Sequence, residues 1–243
     1  EGGAGLDVFL RDRFEKMLNR TRAMAAGGIT HSFARDTVVP YLKTGTDMNS
    51  LPFSKVIQYL SESMRSEDVI CNGAGNFSAW VHRFFRYRGF GTQLAPTSGS
   101  MGYGLPASIS AKRMYPNSTV VAVCGDGDLM MTSQELATAV HHAIPIIALV
   151  VNNGTYGTIR MHQERDYPGN VIATDITNPD FVLFAQAFGA FGERVEKTED
   201  FANAFERAKN SGKPALIELV VDKEAITPST TLTAIRKAAE ARS

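Results

Sequence analysis

Apolar residues recur along this chain at two rhythms. Leu6, Phe9, Leu10, Phe14, Met17 and Leu18 return every three or four positions, which predicts a helix within residues 6–24. Residues 25–50 are rich in Gly, Thr and Ser and show no strong period, so they read as a linker or extended arm. From Leu51 onward, helical and strand patterns alternate. Helices are predicted over 53–64, 76–87, 103–114, 132–142, 199–210 and 232–241. The third of these is rich in small residues, and a Thr132-x-x-Glu135 capping box opens the fourth. A further helix ends near Gly189, with Asn178 as its cap and Pro179 in its first turn. Strands are predicted over 68–72, 119–124, 146–151, 190–195 and 215–221.

The runs TVVAVC and IIALVV are apolar at every position that either face of a sheet would use. Such strands must be covered on both sides, and strands separated by helices are joined by right-handed crossovers. The expected fold class is α/β: a doubly wound, mainly parallel sheet of five or six strands with helices on both faces. Ligands in such sheets bind beyond the C-terminal strand ends. The loops after Asn72, Cys124 and Val151 are therefore where chemistry is sought.

Composition narrows the function classes. Of 243 residues, 44% are apolar, enough for one large domain or a domain with an appendage. Lys plus Arg and Asp plus Glu both number 25, so there is no basic excess of the kind a nucleic-acid binder carries. No apolar run reaches the roughly 18 residues of a membrane span, and no signal-peptide pattern opens the chain. Cys71 and Cys124 lie inside apolar runs and read as buried free thiols of a reducing compartment. The expectation is a cytoplasmic protein, so the Asn-x-Ser/Thr matches at Asn19, Asn76, Asn117 and Asn153 carry little weight.

The loop Gly125-Asp126-Gly127-Asp128 sets a carboxylate between glycines at a strand end. Its backbone N–H groups suit an anion, but a bare carboxylate would repel a phosphate. A Mg²⁺ ion between the two resolves the conflict, with Asp126 as its ligand. The next loop, Asn152-Asn153-Gly154-Thr155-Tyr156-Gly157, offers an amide oxygen at Asn153, also a hard ligand. Adjacent strands would bring the two loops together. Each alone would be an ordinary turn. The loop Asn72-Gly-Ala-Gly-Asn76-Phe-Ser78 could donate to a diphosphate through Asn76 and Ser78, or could serve only as a helix cap.

These motifs resemble a known family. Gly125-Asp126-Gly127 followed by Asn152-Asn153 is similar to the signature of thiamine-diphosphate-dependent enzymes. Met101-Gly-Tyr-Gly-Leu-Pro-Ala107 before it, and Gln134-Glu135-Leu136-Ala137-Thr138 between the two, narrow the resemblance to the acetolactate synthase-like group. That resemblance covers about residues 51–225. It implies a diphosphate-binding (PP) domain over 51–228, an arm from a preceding middle domain over 1–50, and a C-terminal helix over 229–243. It implies Mg²⁺ held by Asp126, Asn153 and the Thr155 carbonyl, and diphosphate contacts from the backbone of Gly127, Asp128 and Leu129. Met101 would hold the cofactor bent, and the Gly99 carbonyl would accept from its amino group. Gly125, Tyr156 and Gly157 complete the expected cofactor-binding set.

The implied activity is 2-oxo-acid decarboxylation or carboligation, with the cofactor carrying the hard chemistry. The family takes a further glutamate from a pyrimidine-binding (PYR) domain of a neighbouring subunit, and this chain has no room for that domain. The expectation is a fragment or one half of a split enzyme, active only with a PYR domain and oligomeric. FAD, used by some members, is not supported by this chain. A non-catalytic cofactor-binding module and a generic dinucleotide-binding domain are the alternatives. Asp128 stands where the family often has a small or hydroxylated residue. His162 or Gln163 falls near where acetolactate synthases line the acceptor pocket with tryptophan, which leaves substrate choice open. Glu135 reads as structural. Arg83, Arg86 and Arg88 read as a solvated face, an interface or an acidic-ligand site.

Overall fold

The computed structural model describes residues 51–242. The helix expected over 6–24 and the arm over 25–50 lie outside the described residues. The elements run α1 (Phe53–Ser63), β1 (Val69–Asn72), α2 (Ser78–Phe84), β2 (Gln93–Leu94), α3 (Gly104–Met114), β3 (Val120–Gly125), α4 (Asp126–Leu129) and α5 (Glu135–His141). They continue β4 (Ile147–Asn152), α6 (Gly157–Asp166), α7 (Phe181–Ala187), β5 (Phe191–Val195), α8 (Thr198–Asn210), β6 (Ala215–Val220) and α9 (Leu232–Glu240).

The six strands form one sheet in the order β2-β1-β3-β4-β6-β5, and every pairing is parallel. Strand residues alternate between two cores, as the pleat requires. Val120, Ala122 and Cys124 face one core with Leu105 of α3, Leu136 of α5 and Phe181 of α7. Val121 and Val123 face the other with Ile57 of α1, Trp80 of α2 and Phe201 of α8. In α8, Phe201, Ala204, Phe205 and Ala208 are all buried, the i, i+3, i+4, i+7 stripe that holds a helix on a sheet. The α/β fold class read from the apolar strands is the fold found. Cys71 and Cys124 are buried and unpaired. No helix among the described residues is long and apolar enough to cross a membrane.

Local patterns depart from the structure in several places, and the short strand β2 and short helix α4 match no predicted element. The capping box does not form. Helix α5 starts at Glu135, Thr132 Oγ1 donates to the Gly102 carbonyl at 2.7 Å, and Glu135 accepts from Thr138. Asn178 does not cap α7. Asp180 does, accepting from Val182 N and Leu183 N at 2.9 and 3.0 Å. Helix α2 is shorter than predicted, because the chain turns extended at Phe85. Helix α6 was not predicted: its only buried residue is Glu164, so it has no apolar stripe.

The predicted C-terminal helix, α9, packs on α6. Arg236 donates to both oxygens of the fully buried Glu164, and Arg160 Nε donates to Oε1 at 2.9 Å. Within the arginine run, Arg88 donates to the Met64 and Ser61 carbonyls, so it ties the irregular segment after α2 to the end of α1.

The sheet order reverses direction at β1. From there the chain goes outward to β2 and then returns to β3 on the other side. A crevice opens at such a switch point, outside the carboxyl ends of the strands. The loops after β1 and β3 border it.

Candidate active site

A cavity of about 710 Å³ occupies this crevice. Three loops predicted from sequence line it, together with the N-terminus of α1 and the segment after β6. Asn76, Gly99, Met101, Gly125, Asp126, Gly127, Asp128, Asn153, Thr155, Tyr156 and Gly157 are all at its wall. Ser78 and Leu129 are not among the lining residues. Ser78 Oγ donates to the Gly75 carbonyl at 2.7 Å, and the Leu129 side chain is buried in the core. Ser78 thus closes the turn that enters α2, and no side chain caps that helix.

Asp126 follows the last residue of β3 and is nearly inaccessible, at 3% exposure. Register places Gly125 opposite Val151 of β4, so the two loops leave the sheet side by side. Gly154 N then donates to Asp126 Oδ2 at 2.9 Å, and Gly127 N donates to Oδ1 at 2.9 Å. Burial pushes the Asp126 carboxyl above its ordinary range, opposed by the donors from Asn178, Gly127 and Gly154. Asn178 is the residue that sequence reasoning missed. Its amide nitrogen donates to Asp126 Oδ2 at 2.8 Å. Local spacing points to a helix cap at this position, and only the fold brings it to Asp126.

The asparagine loop is held by its own turns. Asn153 Oδ1 accepts from Thr155 N at 3.1 Å, and Tyr156 N donates to the Thr174 carbonyl at 2.8 Å. Asn76 faces α6: its N–H donates to Thr158 Oγ1 at 3.1 Å, and its Oδ1 accepts from the same hydroxyl at 3.0 Å. His162 is exposed on α6, whereas Gln163 is engaged with the backbone of Ile172.

Asp128 is at the cavity wall, and its carboxylate is engaged by backbone donors. Its Oδ1 accepts from Ala74 N at 3.0 Å and Gly102 N at 2.9 Å. Burial raises its carboxyl to about 6, and Oδ2 has no hydrogen-bond partner. Two glycines are sterically required around it. A Cβ on Gly73 would lie 1.9 Å from Asp128 Oδ2. Gly102 has φ +82°, and a Cβ there would meet Met131 and Thr132 at 2.9 Å.

The family model described as "Thiamine pyrophosphate enzyme, C-terminal TPP binding domain" matches residues 73–219, more than half of the chain. The chain belongs to this family. Among the curated thiamine pyrophosphate enzymes it is similar to the acetolactate synthase large subunit of Corynebacterium glutamicum. The two are 33% identical over 177 residues, which cover 70% of this chain and 28% of that protein. It is 34% identical over 183 residues to an acetolactate synthase of Mycobacterium bovis, covering 72% of this chain and 30% of that one. Among solved structures it resembles the thiamine diphosphate-dependent 4-hydroxybenzoylformate decarboxylase of Rhodococcus jostii RHA1. There the TM-score is 0.68 at 26% identity, with 75% of this chain and 34% of that chain covered. The chain therefore spans about 30% of the length of the curated thiamine pyrophosphate enzymes it matches.

The crevice fits the family's cofactor. Gly125 and Gly127 at its wall are packed against aromatic rings: a Cβ would meet the Phe77 ring at 2.9 Å or the Tyr156 ring at 2.6 Å, so a side chain at either position would displace a ring of the wall. The oxygen donors that Asp126, Asn153 and the Thr155 backbone offer are hard ligands of the type Mg²⁺ takes. No cluster of three His, Cys, Asp or Glu occurs among the described residues.

Proposed function

We propose that this chain is the Mg²⁺-dependent, thiamine-diphosphate-binding catalytic domain of a 2-oxo-acid decarboxylase or carboligase of the acetolactate synthase-like group. The observation that carries this reading is the junction of Asp126 with the asparagine loop at adjacent strand ends, in the wall of the cavity. The printed functions of the C. glutamicum synthase and the R. jostii decarboxylase support the substrate class.

Asp126, Asn153 and the Thr155 carbonyl would hold the ion, and the ion would offset the charge between Asp126 and the diphosphate. Backbone N–H groups around Gly127 and Asp128 would face the diphosphate. Met101, 37% exposed at the cavity wall, would be covered by the cofactor, and the Gly99 carbonyl would orient its amino group. When bound, thiamine diphosphate supplies the nucleophilic carbon and the electron sink for cleaving the bond to the carboxylate. The chain's own task is to bind, bend and orient it.

Turnover requires a PYR domain from the same or another chain, in an oligomer whose interface closes over Met101. We assign the protein to the cytoplasm. The family match favours this reading over a dinucleotide-binding module, and restored turnover with a PYR domain would separate it from a non-catalytic one.

Calorimetric titration of the chain with thiamine diphosphate, with and without Mg²⁺, tests the reading. Binding that requires Mg²⁺ and is lost in Asp126→Ala is expected. Equal binding without the metal, or in the variant, overturns it.

A further inference from the structure

Glu218 is a buried carboxylate in the middle of an apolar strand, 2% exposed, and the proposed chemistry gives it no task. Its Oε2 accepts from Arg194 Nε at 2.7 Å and its Oε1 accepts from Asn152 Nδ2 at 2.7 Å. A carboxylate paired in this way only accepts, so it dictates how the Asn152 amide lies. The nitrogen must face Glu218 and the oxygen must face away. That oxygen accepts from Gly154 N at 3.1 Å and from Asn178 Nδ2 at 2.9 Å. The Asn178 amide is fixed in turn, because a reversed amide would set its oxygen against two acceptors, Asn152 Oδ1 and Asp126 Oδ2. Its second N–H is thereby delivered to Asp126. Asn178 Oδ1 is left buried with no partner, a cost the site carries to keep this orientation.

We propose that Asn178 is a positioning residue for the carboxylate of Asp126, and that Glu218 acts through Asn152 to fix the amide orientation this requires. The inference rests on the reading of Asp126 as a Mg²⁺ ligand. Gly154 N of the asparagine loop and Asn178 bind the same oxygen, so the carboxylate cannot rotate without losing both. A site with a single protein carboxylate depends on that carboxylate being held in place. Glu218 acts from a distance and touches neither ion nor cofactor.

The test uses the whole chain with saturating thiamine diphosphate, titrated with Mg²⁺ and followed by the fluorescence of Trp80. Trp80 is the only tryptophan and lies in the cavity wall. Asn178→Ala is expected to raise the apparent Kd for Mg²⁺ about tenfold, equivalent to about 1.4 kcal/mol. The near-isosteric Glu218→Gln is expected to raise it several-fold. In the double variant the two effects should be less than additive, because the route from Asn152 through Asn178 is gone and only the one through Gly154 N remains. A second measurement needs no ligand: in the metal-free chain, Glu218→Gln should shift the Gly154 and Gly127 amide resonances by the same route. If wild type binds with Mg²⁺ but Asn178→Ala leaves its Kd within twofold, the positioning role is refuted and the Mg²⁺ reading survives. Fully additive effects, or unmoved Gly127 and Gly154 resonances, refute the chain of orientation through Glu218. If wild type shows no Mg²⁺-dependent binding, the reading beneath the inference fails, and the inference fails with it.

Discussion

One oxygen of Asp128 accepts the backbone N–H of Gly102 at 2.9 Å while also accepting that of Ala74 at 3.0 Å. A single side chain therefore ties the loop after β1 and the Met101 loop to the short helix that follows β3. This is how the chain accommodates a second buried carboxylate two positions from Asp126. Asp128→Ala would leave two backbone donors short of an acceptor. It should cost about 1–3 kcal/mol in chemical denaturation. Asp128→Asn keeps an acceptor oxygen and removes a buried charge. It should match or exceed wild-type stability at pH 8. An Asn variant as damaged as the Ala variant would refute this account.

Met101 lies at the cavity wall with its side chain partly in solvent. Truncating it removes apolar surface that folding buries only in part. Met101→Ala should cost about 1–2 kcal/mol of stability. If the cofactor rests on this side chain, its affinity should fall about tenfold, as expected for apolar surface lost from a contact. Calorimetry and thermal denaturation on the same sample separate the two effects.

Glu164 joins α6 to α9 through Arg236 and Arg160. The Arg236 hydrogen bonds, ahead of those from Arg160, hold its carboxyl down to about 2 from an ordinary 4.5. A carboxylate whose folded value is depressed contributes fully above the unfolded value and loses that contribution as pH falls. Stability from this pair should be complete above about pH 4.5 and should decline toward pH 2. Glu164→Gln should cost roughly 3 kcal/mol at pH 7, because it strands a guanidinium on a buried partner. The gap between variant and wild type should narrow across the acid window. A gap that does not change between pH 6 and pH 2.5 would exclude this origin.

Gly127 faces the Tyr156 ring so closely that a Cβ would lie 2.6 Å from it and 3.1 Å from Ile176. Gly127→Ala should push the ring into the cavity and cost about 1–3 kcal/mol. Cofactor binding should weaken more than stability does, since the displaced ring and the new methyl both enter the crevice. A crystal structure of the variant with an unmoved Tyr156 would contradict this.

The sequence by itself determined five of the six strands and the site loops. TVVAVC and IIALVV could be nothing but strands covered on both faces, and the loops that follow them are the loops that meet at the crevice. Burial writes a period into the chain, and a period can be read locally. Only the tertiary structure decided the polar partners. Asn178 and Thr132 each had a sound local assignment as a cap. Each went instead to a partner far off in sequence: Asp126 is 52 positions from Asn178, and Gly102 is 30 from Thr132. The same holds for Asp128, which reaches Ala74 across 54 positions. Helix α6 was hidden for a related reason, since it is held by Glu164 and its arginines and not by an apolar stripe. A hydrogen bond needs one partner at one distance and angle and leaves no period, so the fold alone chooses among the partners the sequence allows.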